Sequence, residues 1–330
     1  MVSRQRGLGH PCSIRRLPAL GGEELQRARL MKILLFGKDG QVGWELQRSL
    51  APLGEIVALD FGSQEYCGDF TRCDGIADTV RTVVPDVIVN AAAYTAVDKA
   101  ESEPERVRII NALAPAILAR EAGKLGAWLV HYSTDYVFDG GGSAPRVETD
   151  PPAPLNMYGI TKLEGEQAIL TADCNHLIFR TSWVFAARGS NFAKTMLRLA
   201  QQRDSLNVID DQVGAPTGAE LLADITAHVI RISRQRQNIS GLYHLAAAGE
   251  TSWYGYANFV LNFARQRGVK LTAAPENVFP IASNEFPSAA RRPKNSRLDT
   301  AKLQSTFDLS LPSWETGVAR MLTEILEKPL

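Results

Sequence analysis

The chain has 330 residues, 36 basic and 36 acidic side chains with a formal net charge of zero, and 45% hydrophobic content. That is an ordinary globular composition, long enough for one large core or two domains, and its charge balance argues against a nucleic-acid partner, which would call for a basic face. No apolar run approaches the roughly twenty residues of a membrane helix.

Cys12, Cys67, Cys73 and Cys174 form neither a C-x-x-C pair nor a secreted-type framework, so reduced thiols in a cytoplasmic protein are expected. His10, His131, His176, His228 and His244 are scattered without zinc-ligand spacing.

Residues 1–30 read as a leader. Arg4, Arg6, Arg15, Arg16, Arg27 and Arg29 crowd a stretch with Pro11 and Pro18 and no apolar core of signal-peptide length, so disorder is expected there. From Met31 the pattern changes. The strand-like run Lys32 to Phe36 enters Gly37-Lys38-Asp39-Gly40-Gln41-Val42-Gly43, three glycines spaced three apart, followed by a helix-forming segment. A strand that turns sharply, lets its backbone approach a pyrophosphate and presents helix N-terminal amides is the opening of a dinucleotide-binding unit. About seventeen residues past Gly43, a second apolar run ends on Asp60, where such folds place a carboxylate for the adenosine ribose. No Arg or Lys follows immediately to hold a 2′-phosphate, which leans the reading toward NADH over NADPH.

Further strands are expected at Ile56 to Leu59, Val87 to Asn90, Trp128 to Ser133 and His176 to Thr181, with helices beginning near Gln41, Asp74, Glu105 and Tyr158. Repeated strand–helix units predict an α/β fold, a Rossmann-like doubly wound parallel sheet over residues 31–182. Beyond about residue 182, mixed loops and helices predict a smaller C-terminal substrate-binding lobe, 183–330, with some segments returning to the first domain.

The chemistry-bearing residues lie in Ser133-Thr134-Asp135-Tyr136-Val137-Phe138 and Tyr158-Gly159-Ile160-Thr161-Lys162. Tyr158 and Lys162 are one helical turn apart, so they share a face, and a nearby ammonium would lower the phenol's pKa from about 10 toward working pH. A Tyr-x-x-x-Lys pair is common by chance; its position after the strand Trp128 to Tyr132 is what singles it out. The hydroxyl of Thr134, or of Ser133 if the register is one residue off, would emerge at the carboxyl end of the sheet. A turn hydrogen bond to its own backbone is the plainer role for Thr134, and core packing the plainer one for Trp183.

The order Gly37-x-x-Gly40-x-x-Gly43, Asn90-Ala91-Ala92-Ala93, Ser133-Thr134-Asp135-Tyr136-Val137-Phe138 and Tyr158-x-x-x-Lys162 resembles the extended short-chain dehydrogenase/reductases that act on nucleotide sugars. Within that group, Gly40-Gln41-Val42-Gly43, Cys67-Gly68-Asp69-Phe70, Ala96-Val97-Asp98-Lys99-Ala100-Glu101, Arg180-Thr181-Ser182-Trp183-Val184-Phe185, Asp211-Gln212-x-Gly214-Ala215-Pro216-Thr217 and Arg292-Pro293 look closely like the dTDP-4-dehydrorhamnose reductase family. The likeness covers essentially everything from Met31 onward.

The resemblance implies reduction of the C4 keto group of dTDP-4-dehydro-L-rhamnose by NADH or NADPH, on the route to lipopolysaccharide O-antigen. It assigns Tyr158, Lys162 and Thr134 to catalysis. Cofactor contacts fall to Gly37, Gly40, Gln41, Val42, Gly43, Asp60, Asp69, Phe70, Ala93, Tyr94, Thr95 and Tyr132, with Tyr158 and Lys162. Asp135 and Trp183, with Thr134, would contact the sugar, and Arg291, Arg292 and Arg297 are candidates for the substrate diphosphate. It further implies a homodimer in which Glu45, Glu220 and Glu324 meet across the interface around Mg2+, whose hard character suits carboxylates. The alternatives are another nucleotide-sugar epimerase or dehydratase, or a non-catalytic NAD(P)-binding regulatory subunit.

Overall fold

In the computed structural model of the protein, which describes residues 30–233, 235, 236 and 238–327, six strands make the central sheet. They are β1 Met31–Phe36, β2 Gly54–Leu59, β3 Val87–Asn90, β4 Trp128–Thr134, β5 Asn175–Thr181 and β6 Gly241–His244. Their spatial order is β6-β5-β4-β3-β1-β2, and every neighbouring pair is parallel. The chain steps from β1 to β2 in one direction and returns to β3 on the other side of β1. A crevice therefore opens at the carboxyl ends of β1 and β3, where open α/β sheets take their ligands.

The strands read as unbroken apolar runs because both faces of the sheet are covered. Ile33 and Leu35 of β1 face a core shared with Leu46 and Leu50 of the helix Gln41–Leu50 and with Leu222 and Val229 of the helix Ala219–Ser233. Leu34 and Phe36, one residue out of phase, face a second core with Ile76 and Val80 of the helix Cys73–Val83 and Leu118 and Ala122 of the helix Ala114–Leu125. β3 alternates likewise, with Val87 and Val89 on the first face and Ile88 on the second. A third core, with Met196, Leu197, Tyr256, Val260, Val318 and Leu322, joins the helices Phe192–Gln202, Trp253–Gln266 and Trp314–Glu327 in the C-terminal half.

Each expected strand lies in an observed one, and the expected helix starts fall at Gln41, Cys73, Pro104 and Met157. Two features differ. β4 runs one residue past the expected end, to Thr134, which ends a strand rather than beginning a loop. The sheet also takes a sixth strand, β6, from beyond residue 182; it is a four-residue edge strand, too short to announce itself by alternation. The described residues from Met31 to Glu327 form one compact unit. The expected leader falls, except for Leu30, outside the described residues, as do His10 and Cys12. Cys67, Cys73 and Cys174 are free thiols. Among the described residues no helix is long and apolar enough to cross a membrane.

Candidate active site

β1 leads into Gly37, whose φ of +86° lies in the left-handed region; an added Cβ there would stand 2.7 Å from the amide nitrogen of Ala92 and 2.8 Å from the carbonyl of Ala91. Only glycine lets the turn pass the end of β3 so closely. Gly40 caps the helix Gln41–Leu50 without a side-chain hydrogen bond, and no acidic residue sits in the first turn. The opening amides of that helix, at Gln41, Val42 and Gly43, are therefore left facing the crevice mouth with no internal partner, and an anion such as a pyrophosphate fits them.

Asp60 follows β2 and accepts from the Ser63 hydroxyl at 2.7 Å. A hydrogen bond from Asp39 is the main reason that its carboxyl is held below the usual range. Lys38 Nζ lies 3.9 Å away. A cation thus stands beside Asp60 after all, supplied by the glycine turn rather than by the residues after Asp60. The Phe70 ring is turned into the core, edge-on to Phe36 at 5.3 Å, so it offers the crevice backbone rather than its ring. The Asp69 carboxylate accepts the amide and hydroxyl of Thr71. Ala93 and Thr95 are exposed after β3. Between them the backbone of Tyr94 is clamped by Asn111, which accepts from Tyr94 N at 2.8 Å and donates to Tyr94 O at 3.1 Å.

The assignment of the Tyr132 side chain to the nicotinamide end is corrected. Its phenol shares a 2.6 Å hydrogen bond with Thr226 of the helix Ala219–Ser233, and its ring packs on Phe179, so it lies on the opposite face of the sheet. Alternation along β4 sends it there with Val130, one residue out of phase with His131. Only the Tyr132 carbonyl remains on the working side, where it accepts from Lys162 Nζ at 2.6 Å.

Tyr158 and Lys162 stand on the first turns of the helix Met157–Leu170, capped by Asn156, which accepts from Gly159 N at 2.8 Å and donates to the Arg291 carbonyl at 2.7 Å. Thr134 is buried; its hydroxyl donates to Asp135 at 3.0 Å, accepts from Tyr136 N at 3.1 Å, and stands near enough to the Tyr158 phenol to favour its charged form. The expected lowering of the Tyr158 pKa by Lys162 is also corrected. Burial pushes the phenol up to about 12, opposed by the Thr134 hydroxyl. Lys162 Nζ is instead turned to the Tyr132 carbonyl and, at 3.2 Å, to His131 Nε2. Burial lowers Lys162 to about 8, with Glu166 opposing. Burial also pushes Asp135 up to about 6, and its Oδ2 has no hydrogen-bond partner. Such a site holds a proton on the phenol beside a hydroxyl donor, as a general acid requires.

Trp183 adopts φ +49°, an uncommon conformation for a bulky residue, and stacks on Trp253 with ring centroids 3.6 Å apart. A Cβ on Gly214 would come within 2.9 Å of the indole. Trp253 borders a cavity of about 1300 Å3, also lined by Gly140, Phe192, Gln212, Arg291 and Arg292. Arg292 donates to Asp98 at 2.6 Å, whereas Arg297 is committed to Glu250 through two hydrogen bonds and does not line the cavity. Asn90, Asn111, His131 and Trp253 were not anticipated as site residues. Asn90 stood in a recognisable motif, but nothing local marks an isolated histidine or tryptophan.

The three candidate metal-binding glutamates lie on different helices. Glu45 accepts from Arg48 at 3.3 Å, Glu220 is half-buried with its pKa raised by burial and by Glu45 and Asp224 against Arg320, and Glu324 lies exposed on the helix Trp314–Glu327. Among the described residues no group of three or more His, Cys, Asp or Glu stands ready for a metal within one chain.

The family model described as RmlD substrate binding domain matches residues 31–327. The chain is 58% identical to dTDP-4-dehydrorhamnose reductase of Escherichia coli, over 89% of this chain and 98% of that protein. It is 59% identical to the enzyme of the same name from Salmonella typhimurium, with the same coverage. Its structure matches that of dTDP-4-dehydrorhamnose reductase from Bacillus anthracis, solved in complex with NADP, with a TM-score of 0.80 at 34% identity, covering 89% of this chain and 99% of that one.

Proposed function

The chain belongs to the dTDP-4-dehydrorhamnose reductase family, and we propose that it reduces the C4 keto group of dTDP-4-dehydro-L-rhamnose to dTDP-L-rhamnose with NADH or NADPH. The observation that supports this chemistry is the meeting of the Thr134 hydroxyl and the Tyr158 phenol at the carboxyl end of β4, with Lys162 held one turn along the same helix.

When bound, the reduced nicotinamide supplies the hydride. Tyr158 gives its proton to the oxygen on which negative charge develops, and the phenolate regains a proton from solvent. Thr134 turns its hydroxyl to the same oxygen, where a positioned donor counts most as charge grows. Lys162 holds the nicotinamide ribose. Gly37, Gly40 and Gly43 let Gln41 and Val42 present amides to the pyrophosphate; Asp60 takes the adenosine ribose, Asp69 and Phe70 border the adenine, and Ala93, Tyr94 and Thr95 border the nicotinamide. Asp135, whose buried Oδ2 lacks a partner, and Trp183 receive the sugar. Arg291 and Arg292 face the diphosphate in the adjoining cavity. On this reading residues 31–182 form the cofactor half and 183–330 mainly the substrate lobe, while Ala219–Ser233 and β6 serve the former.

Glu45, Glu220 and Glu324 hold Mg2+ only where two copies meet, in a homodimer. The mutual field of Glu45 and Glu220 supports this, since like charges at close quarters favour a cation. The protein works in the cytoplasm.

Incubation with the keto-sugar nucleotide and each cofactor tests the reaction: stoichiometric loss of reduced-nicotinamide absorbance with formation of dTDP-L-rhamnose is expected. Conversion of the sugar without net loss of absorbance would instead mark an epimerase or dehydratase. Absence of turnover, with tight binding to another enzyme, would mark a regulatory subunit.

A further inference from the structure

Behind Lys162, away from the Thr134 hydroxyl, lies a buried line of polar groups that the reaction above does not use. Asn90 ends β3, His131 is its register partner on β4, and Lys162 reaches them from the helix Met157–Leu170. At 1%, 1% and 2% exposure, none of the three can substitute water for a missing partner.

The polarity of this line follows from its first member. The amide N–H of Ala92 donates to Asn90 Oδ1 at 3.1 Å, which fixes the carboxamide with its NH2 toward His131. Asn90 Nδ2 lies 2.9 Å from His131 Nδ1, so Nδ1 must accept and cannot carry a proton. A neutral imidazole then bears its hydrogen on Nε2, and that N–H points at Lys162 Nζ, 3.2 Å away. An ammonium offers three donors and no acceptor, whereas an amine presents a lone pair. The line is therefore complete only with Lys162 as an amine that donates to the Tyr132 carbonyl and accepts from His131.

We infer that Asn90 and His131 form a hydrogen-bond relay that positions Lys162 and disfavours its protonated form, which makes them positioning residues of the reduction. The inference rests on the proposed role of Lys162 at the cofactor. Burial acts in the same direction on Lys162 and keeps His131 uncharged. The other charged groups around the lysine do not replace the relay. Glu166 on its own helix is bound through both oxygens to Arg180 of β5 at 2.9 and 2.6 Å, Glu164 pairs with Arg108 of the preceding helical segment, and Tyr158 is a neutral phenol. Taking up a proton at Lys162 would require His131 to move its hydrogen to Nδ1 and Asn90 to turn its oxygen toward it, leaving Ala92 N–H against an NH2. Ala92 adjoins Gly37 in the cofactor crevice, so the cost of protonation is felt where the cofactor binds.

The tautomer is read directly from long-range 1H–15N spectra of the 15N-labelled, cofactor-free protein. His131 should show protonated Nε2 and unprotonated Nδ1 at pH 9, above the range in which Lys162 loses its proton, and a protonated Nδ1 there would overturn the relay. This readout needs neither turnover nor substrate, so it stands apart from the proposed reaction. The second measurement is the pH dependence of NADH affinity. In the wild-type protein it should weaken as pH rises through about 8, where Lys162 loses its proton. His131→Phe keeps an aromatic ring but removes the N–H. Asn90→Asp keeps an acceptor for Ala92 and reverses the imidazole, so that Nε2 accepts from the ammonium. Both changes favour the charged lysine and should move the alkaline limb up by about one pH unit or more. A uniform loss of affinity with the limb unmoved, in variants of native circular dichroism, would reduce Asn90 and His131 to packing residues and overturn the proposal. If neither variant folds, the wild-type spectra decide alone.

Discussion

The phenol of Tyr158 is a weaker acid than tyrosine in water, because burial disfavours its charged form more than the Thr134 hydroxyl stabilises it. That suits the proposed task of keeping a proton until an alkoxide forms. Tyr158→Phe should leave NADH affinity nearly intact and lower turnover roughly a hundredfold or more, as loss of general-acid help does; steady-state kinetics beside a cofactor titration checks it. Unchanged turnover would mean that another group supplies the proton. Asp135 carries the opposite burden. Its pKa is raised to about 6 by burial, so the folded protein binds a proton more tightly than the unfolded chain, and the wild type loses stability as pH climbs from about 4 to about 6. Asp135→Asn should therefore be more stable than wild type at pH 7, by about 2–3 kcal/mol at 1.36 kcal/mol per pKa unit. The advantage should shrink toward zero near pH 4. Urea unfolding at several pH values measures it, and an advantage independent of pH would contradict the assigned pKa. The same variant should bind the sugar nucleotide more weakly.

The glycine turn and the strand ends illustrate how far local pattern reaches. Gly37 and Gly40 are legible because a left-handed φ and a bare helix N-terminus each demand a residue type, and Gly43 because a Cβ there would strike the Gly37 carbonyl. Gly37→Ala should cost at least about 2 kcal/mol of stability, since the new methyl meets the backbone of Ala91 and Ala92 at φ +86°. It should also weaken cofactor affinity; a variant of wild-type stability and affinity would show that the turn has room to give. Strands β1 to β5 are legible for an equally local reason, since burial on both faces requires continuous apolar runs. The end of β4 is not. Whether Thr134 extends a strand or opens a loop depends on pairing with Thr181 of β5.

In the whole molecule, segments from beyond residue 182 return to the sheet: β6 pairs with β5, and Leu222 and Val229 fill the core beneath β1. A consequence is that Glu220, at the start of the returning helix, comes into the field of Glu45 on the helix that follows the glycine turn. If Mg2+ joins two copies there, a chelator should convert the dimer to monomer, added Mg2+ should restore it, and Glu220→Gln should abolish the dependence. Sedimentation velocity reads all three. A dimer indifferent to chelation would remove the metal from the interface.

Residue types and their order were enough to specify the doubly wound sheet, the glycine turn and the Tyr158 and Lys162 pair, because each rests on a constraint that acts over a few neighbouring residues. Proton affinities and long-range partners were not open to such reading. Lys162 turns to the Tyr132 carbonyl and His131 rather than tuning Tyr158, and Arg297 is taken by Glu250, because hydrogen bonding and desolvation depend on groups that only folding brings within about 3 Å of one another.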